Sequence, residues 1–186
     1  MPHREPLRRM LFRYLELWPG DGERVRPVLD LLAGSPRCFE RDHLPGHVTA
    51  SAWILSADRS KSLMTHHKKL ARWLQLGGHA DGDPAVEQVA VREAREESGL
   101  GGFDLVQRDG ELVPLDVDVH WIPQRMAEPG HWHHDVRFLL LARGGESIAI
   151  SAESNDLRWF TDAEVCATVH EESVLRLLAR ARERLA

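Results

Sequence analysis

One stretch constrains the fold more than any other: residues 77–100, where two glycines and an acidic turn lead into a helix that gathers carboxylates near its end. Asp83 followed by Pro84 is typical of an N-cap and the first position of a helix, and Gly99 is typical of a left-handed C-cap. The pattern predicts a helix from about Pro84 to Ser98. Apolar residues at helical spacing predict that one face packs on a sheet: Val86, Val89, Ala90 and Ala94.

The predicted helix also carries three carboxylates, Glu93, Glu96 and Glu97, at i, i+3 and i+4 spacing. Like charges at this spacing repel one another, and acids near a helix C-terminus oppose the helix dipole. Arg92 and Arg95 offset only part of this repulsion. A hard divalent cation would offset the rest, because Mg²⁺ takes oxygen ligands and is commonly held by carboxylates together with substrate phosphates. A solvated acidic face with i, i+4 ion pairs is the alternative interpretation.

The glycines before the turn link this helix to a known pattern. Glycine at positions 77 and 78 allows backbone conformations in which a main-chain carbonyl points toward the carboxylates. The whole stretch resembles the signature box of the Nudix hydrolases, Gly-x5-Glu-x7-Arg-Glu-U-x-Glu-Glu-x-Gly-U with U aliphatic. Gly78 is the first glycine, and residues 92–100 match every fixed position of the second half. Pro84 departs from the pattern, since the family has glutamate there; Asp83 could replace that glutamate or serve as the N-cap.

The resemblance implies an α/β (α+β) fold of the Nudix type, an α/β/α sandwich with a mixed sheet. It also implies hydrolysis of a diphosphate bond in a nucleoside diphosphate linked to another moiety, by water attack on phosphorus. Mg²⁺ or Mn²⁺ is the implied cofactor, because such an ion neutralises the diphosphate and aligns the attacking water. By the resemblance Glu96 and Glu97 are direct metal ligands, and Glu93 is a ligand or orients a metal-bound water. Gly77 would contribute a carbonyl ligand, and Arg92 would hold the carboxylates by ion pairing.

The rest of the chain divides into a helical extension at residues 1–45 and a Nudix hydrolase domain at residues 46–186. Two short amphipathic helices in the extension, one ending at Trp18 and one from Glu23 to Ala33, cannot bury their apolar faces alone. We expect them to pack on the main domain, with a homodimer interface as the alternative. Period-two and β-branched runs predict strands at 47–56, 62–67, 115–122, 131–142 and 157–160, and helical spacing predicts a C-terminal helix at 172–185.

Candidate substrate-binding residues lie on the strand that begins at His131. His131, His133 and Asp135 alternate and therefore share one face of that strand, while His79 lies in the turn beside the carboxylates. These side chains could contact substrate, have a structural role, or bind a transition metal, since imidazole suits such ions. Trp132, between two of the histidines, is the candidate for stacking on a base. The predicted substrate contacts are His79, Trp132, His133 and Asp135.

A general base and phosphate-binding cations complete the predicted site. Glu153, in the loop before the last strand, is the predicted base, and Glu146 is the weaker candidate, because loops often carry function. Lys68, Lys69 and Arg72, ahead of the glycines, either meet substrate phosphate or form a solvated basic loop.

Composition limits the partners. The net charge of −5 does not favour binding to a nucleic acid backbone. The sequence has neither an apolar run long enough to span a membrane nor the hydrophobic core of a signal peptide at its N-terminus. We therefore expect a cytoplasmic protein, and the resemblance to the Nudix hydrolases implies that its partner is a small nucleoside diphosphate derivative. Cys38 and Cys166 have no metal or redox spacing and are predicted to be free, buried thiols.

Two other functions remain open from the sequence. Isopentenyl diphosphate isomerases share the Nudix fold and use His and Glu metal ligands, but their reaction needs a cysteine near the Gly-Gly-His segment, where this chain has none. A non-catalytic Nudix-fold nucleotide-binding or regulatory module is favoured by Pro84. The retained Arg92 and the three glutamates argue against such a module, which has no need of a clustered acidic turn.

Overall fold

The computed structural model of the protein describes residues 2–125, 128–144, 147–150 and 154–185. Its helices are α1 (Glu5–Leu17), α2 (Gly22–Gly34), α3 (Val86–Ser98), α4 (Asp162–Thr168) and α5 (Glu172–Leu185). Its strands are β1 (Gly46–Leu55), β2 (Lys61–His67), β3 (Arg72–Leu74), β4 (Leu76–His79), β5 (Phe103–Leu105), β6 (Asp116–Ile122), β7 (His131–Ala142) and β8 (Ser154–Thr161). No helix in this described part is both long and apolar enough to cross a lipid bilayer.

The two longest strands form the centre of a mixed sheet. β1 and β7 run parallel and pair along their whole length, with His47 opposite His133 and Leu55 opposite Leu141. The other edge of β1 is shared by β4 and β2, both antiparallel to it, and β7 pairs antiparallel with β6 and β5. β2 continues the sheet to β3 and β8. β1 and β2 form a hairpin through pairs at their adjoining ends, although most of β2 pairs with β8.

Alternation along β1 and β7 builds a layer on each face of the sheet. The side chains of Ala52 and Ile54 join a core that contains α1, α2 and α3, whereas those of Trp53 and Leu55 join a second core with α4 and α5. Successive side chains of a strand point to opposite faces, so two strands can supply both cores. The α/β/α sandwich with a mixed sheet, as expected from the sequence, is confirmed.

The N-terminal helices pack on the sheet of their own chain. Leu7, Leu11 and Val28 are fully buried in the same core as β1. Polar contacts add to this packing, because Arg180 of α5 donates hydrogen bonds to the Tyr14 hydroxyl and, at 2.6 Å, to Asp21. The extension therefore stabilises the main domain in cis, which is the packing that the sequence favours. A division of the chain at residue 45 stays a prediction.

Some local expectations need correction. α3 begins at Val86, two residues after the predicted start, and its N-cap is Ala85. The Asp83 carboxylate accepts a hydrogen bond from the Ala85 N–H at 2.9 Å, so Asp83 closes a turn before the helix and is not its N-cap. Gly99 ends the helix in the left-handed conformation, as predicted, with φ of 70°. Cys38 is a free, buried thiol, but Cys166 is exposed because the buried residue of α4 is its neighbour Val165.

Candidate active site

Close approach of the glycine backbone brings β4 against the acidic face of α3. A Cβ atom at Gly77 would lie 2.6 Å from the Cα atom of Ser51 on β1, and one at Gly78 would lie 2.5 Å from Oε2 of Glu93. A side chain at position 77 would clash with the backbone of β1, whereas one at position 78 would displace the flexible carboxylate of Glu93. The N–H of Gly77 donates a hydrogen bond to Oε2 of Glu97 at 3.1 Å. The structure therefore brings Gly77, Glu93 and Glu97 together, while a Gly77 carbonyl ligand to metal stays a prediction.

Arg92 ties the carboxylates to the end of β4. Its Nη2 donates hydrogen bonds to the His79 carbonyl and to Oε1 of Glu93, both at 2.9 Å. The hydrogen bond to Glu93 raises the pKa of the guanidinium, which stays charged. Arg92 thus makes an ion pair with Glu93, as the resemblance implies. This contact holds the Glu93 carboxylate in place.

The acidic face retains negative charge that Arg92 does not compensate. Burial is the largest influence on Glu93 and raises the pKa of its carboxyl; the charges of Glu96 and Asp81 raise it further, against the opposing effect of Arg92. Glu96 is exposed and Glu97 is partly buried. Three carboxylates within one helical turn, one of them partly desolvated, make a donor set that fits a hard divalent cation.

A cleft of about 540 Å³ lies beside the glycines. Its floor is formed by odd-numbered residues in the first halves of β1 and β7. In the later halves of these two strands, the odd-numbered residues on the same face of the sheet belong to the second core. The volume is within the range of small-molecule sites. Four cationic side chains line the cleft and suit a ligand that carries phosphate: Arg41, Lys69, Arg72 and Arg125. Arg137 also lines it but is buried and already paired with aspartates, and the cleft has four acidic side chains as well: Asp118, Glu128, Asp135 and Glu171. Lys69 and Arg72 thus lie where the sequence allows a phosphate contact.

The predicted substrate residues divide between this cleft and the opposite face of β7. His79, His133 and Asp135 line the cleft. The carboxylate of Asp135 already accepts hydrogen bonds from Ser51 Oγ and Arg137 Nε, each at 2.8 Å. Its contact with substrate stays a prediction, and its observed contacts hold the floor of the cleft together.

Trp132 lies on the other face of β7. It lines a second, smaller cavity with Glu23 and Arg24 of α2, which is where strand alternation from His131 and His133 would place it. The tryptophan that lines the main cleft is Trp121, which is 49% exposed and packs edge-on against Trp132 at 5.2 Å between ring centroids. The period-two pattern of β6 does not indicate this contact, because Trp121 pairs directly with Trp132 and by alternation shares its face of the sheet.

The predicted general bases, Glu153 and Glu146, lie outside the described residues. Neither cysteine lines the cleft: Cys38 belongs to the first core and Cys166 to α4.

The sequence matches the family model of the NUDIX domain over residues 45–180, which is most of the chain. The chain belongs to the Nudix family. It is a Nudix hydrolase, and the glycines, Arg92 and the three glutamates described above are its Nudix box. Among curated proteins, none matches the sequence closely enough to count as a relative.

Solved Nudix structures share the fold at low sequence identity. A NUDIX-family hydrolase from Clostridium perfringens is 23% identical, with a TM-score of 0.58 over 75% of this chain and 98% of the other. An Ap4A hydrolase from C. elegans is 15% identical, with a TM-score of 0.56 over 74% and 96%. The NUDIX domain of Shewanella oneidensis NrtR, complexed with ADP ribose, is 21% identical, with a TM-score of 0.53 over 86% and 98%.

Proposed function

We propose that this Nudix hydrolase cleaves a diphosphate (pyrophosphate) bond in a nucleoside diphosphate linked to another moiety, by attack of water on phosphorus. The observation that carries the proposal is the contact of Gly77 and Gly78 with Glu97 and Glu93, next to a cleft lined by cations. Bound Mg²⁺ or Mn²⁺ would neutralise the diphosphate and activate the water. Glu93, Glu96 and Glu97 are the residues that would hold this ion.

The protein's own groups have distinct roles in this proposal. Arg92 is a positioning residue, because it contacts Glu93 and the His79 carbonyl. Lys69 and Arg72 meet the phosphates from one side of the cleft, and Trp121 offers an exposed ring for stacking on a base. Glu153 remains the proposed general base.

The substrate class is supported by what the similar structures are named for. The C. elegans protein is an Ap4A hydrolase, and the Shewanella domain is complexed with ADP ribose. Both molecules are adenine nucleotide derivatives with linked phosphates. We therefore place ADP-ribose and dinucleoside polyphosphates first among the substrates to be tested. A cytoplasmic location and a homodimer stay predictions.

A nucleotide-binding module without catalysis is the second candidate, and one observation favours it. Pro84 replaces the box glutamate, and the nearby Asp83 is hydrogen-bonded to Ala85 in the turn before α3. Asp83 is therefore occupied as a turn residue. If the lost glutamate is essential, the cleft would bind a nucleotide derivative without cleaving it.

Hydrolysis in H₂¹⁸O distinguishes the two candidates. The protein is incubated with ADP-ribose, Ap4A and nucleotide sugars in the presence of Mg²⁺ or Mn²⁺, and products are identified by mass spectrometry. The proposal predicts turnover of at least one substrate, dependence on the metal, and ¹⁸O in a phosphate of one product. Saturable binding of these compounds without turnover would support the binding module and contradict the proposal.

A further inference from the structure

Four histidines from three strands meet on the wall of the cleft. We call them the histidine cluster: His47, His79, His131 and His133. They meet because β1 lies between β4 and β7, with His47 opposite His133 in one pair of strands and Thr49 opposite His79 in the other. Each imidazole offers one nitrogen, and the four nitrogens lie within 4.8 Å of one another.

His47 is the buried member of the cluster. Its side chain is fully buried, and its Nδ1 lies 3.4 Å from the His43 carbonyl. Its other nitrogen, Nε2, is buried and has no hydrogen-bond partner among the described residues. A buried nitrogen left without a partner destabilises the fold, and a bound ion would give it one. Its ring centre is 4.9 Å from that of His131 and 5.0 Å from that of His133, so the unpaired group lies within the cluster.

His131 is oriented as a ligand by its own backbone contact. Its Nδ1 lies 2.9 Å from the Pro129 carbonyl, which requires a proton on Nδ1 and leaves a lone pair on Nε2. That Nε2 is 3.1 Å from Nε2 of His133. Two imidazole nitrogens bound tetrahedrally to one zinc ion are separated by about 3.3 Å. The two rings are therefore already close to the spacing that a shared metal needs.

The charge state of the cluster also suits a metal. Burial is the main cause that lowers the pKa of His47 to about 4, and burial likewise lowers the pKa of His79 and His133. The neighbouring imidazoles add to each of these shifts. Neutral imidazole is the form that binds metal. Among the charged groups near His79, Arg41 lowers its pKa most and would oppose a bound cation, whereas the carboxylates of Asp81 and Glu128 would favour one.

We propose that the histidine cluster binds one divalent transition-metal ion of the Zn²⁺ class. Imidazole ligands select such ions over Mg²⁺, whereas the carboxylates of α3 suit the hard cation. The two sites consist of different residues, so the proposal goes beyond the diphosphate hydrolysis described above. Because His79, His131 and His133 also line the cleft, the bound ion would form part of its wall.

The direct test uses full-length protein without a histidine tag, titrated with Zn²⁺ or Co²⁺ in excess Mg²⁺ to occupy the carboxylates. We expect one saturable site, and X-ray absorption of the one-equivalent Zn²⁺ complex should show scattering from three or four imidazole rings. Absence of saturable binding, or a coordination shell of oxygen alone, would overturn the proposal. This measurement on the wild-type protein decides the question even if cluster variants fail to fold.

Variants locate the site. His79→Gln and His133→Gln remove partly exposed members of the cluster, and His170→Gln is a control for an exposed histidine elsewhere. We expect each cluster variant to lower Zn²⁺ affinity by at least about tenfold to a hundredfold, since even loss of an outer partner of a metal ligand has this effect. The control and Glu97→Gln should bind Zn²⁺ as the wild type does. Loss of Zn²⁺ binding in Glu97→Gln alone would place the ion at the carboxylates and contradict the proposal.

Discussion

At the scale of single residues, Arg92 holds the Nudix box together by joining α3 to the end of β4. One of its nitrogens donates to both the His79 carbonyl and Glu93, a partly buried carboxylate. Hydrogen bonds to charged groups contribute about 1.5–3 kcal/mol each, more than neutral ones. Arg95, one turn further along α3, is exposed and takes no part in these two hydrogen bonds.

Replacing Arg92 should therefore cost more than replacing Arg95. We expect Arg92→Ala to lower the free energy of unfolding by about 1.5–3 kcal/mol. Arg95→Ala should change it by less than about 0.5 kcal/mol, as is usual at the surface. Urea denaturation followed by circular dichroism measures both. Equal losses in the two variants would show that Arg92 has no special structural role.

The two thiols should differ in reactivity. Burial raises the pKa of Cys38 to about 11, against the opposing charge of Arg4, whereas Cys166 is exposed. The thiolate is the reactive form, so at pH 8 Cys38 is both protonated and inaccessible. Iodoacetamide should modify Cys166 alone in the folded protein and both thiols in denaturant, as read by mass spectrometry. Rapid modification of Cys38 in folded Cys166→Ser would contradict this description.

At the scale of elements, β4 depends on the absence of side chains where it crosses β1. A methyl group at Gly77 would lie 2.6 Å from the Cα atom of Ser51 and would also clash with the Ser51 side chain. A side chain can rotate to avoid such a clash, but the Cα atom cannot. A methyl group at Gly101, in contrast, would have no atom within 4 Å. The register of β4 therefore requires glycine at position 77, and so does the hydrogen bond from Gly77 to Glu97. Position 101 has no such requirement.

Matched glycine substitutions test this dependence. Gly77→Ala should destabilise the fold by about 1–3 kcal/mol, the usual cost of overpacking. It should also weaken Mn²⁺ binding, because a displaced β4 moves the N–H of residue 77 away from Glu97. Gly101→Ala should change the free energy of unfolding by less than about 0.5 kcal/mol. Thermal unfolding and Mn²⁺ titration check the pair, and a stable Gly77→Ala with wild-type Mn²⁺ affinity would be the contrary outcome.

The sequence predicts elements whose signals are local. The spacing of apolar residues places α5 at its observed bounds. Contacts between distant strands leave no such signal. The face shared by His131 and His133 follows from alternation, but His47 joins them only through the parallel pairing of β1 with β7. Asp83 misleads because its side chain can cap a helix or close a turn, and both satisfy a backbone N–H.

At the scale of the whole molecule, a buried ion network joins the N-terminal helices to the site. Asp116 on β6 is fully buried and accepts hydrogen bonds from Arg137, Arg176 and Arg180. Arg180 also donates a hydrogen bond to Asp21, which lies just before α2. Arg137 likewise donates one to Asp135 on the floor of the cleft. The network thus links the extension, α5 and the cleft floor.

Removing Asp116, the shared acceptor of this network, should strongly lower the free energy of unfolding. Asp116→Ala removes the carboxylate that three guanidinium groups share and leaves them only Asp21, Asp118 and Asp135 as partners. Breaking a buried pair costs about 3–5 kcal/mol. The control is Asp104→Ala, which removes an exposed pair with Arg143 and should leave the urea midpoint close to that of the wild type. Urea midpoints compare the two variants. A loss of stability in Asp116→Ala no larger than in the control would show that the network is not structural.

The measurement that tests the central claim most directly is the metal-dependent hydrolysis rate of the wild type, Glu97→Gln and the exposed control Glu183→Gln on the best substrate of the panel. We predict that Glu97→Gln lowers the rate by about a hundredfold or more, since a catalytic metal supplies several kcal/mol of stabilisation to the transition state. Glu183→Gln should keep the wild-type rate. Full activity in Glu97→Gln, or a wild-type rate that is unchanged by removing Mg²⁺ and Mn²⁺, would contradict carboxylate-held metal catalysis in this protein.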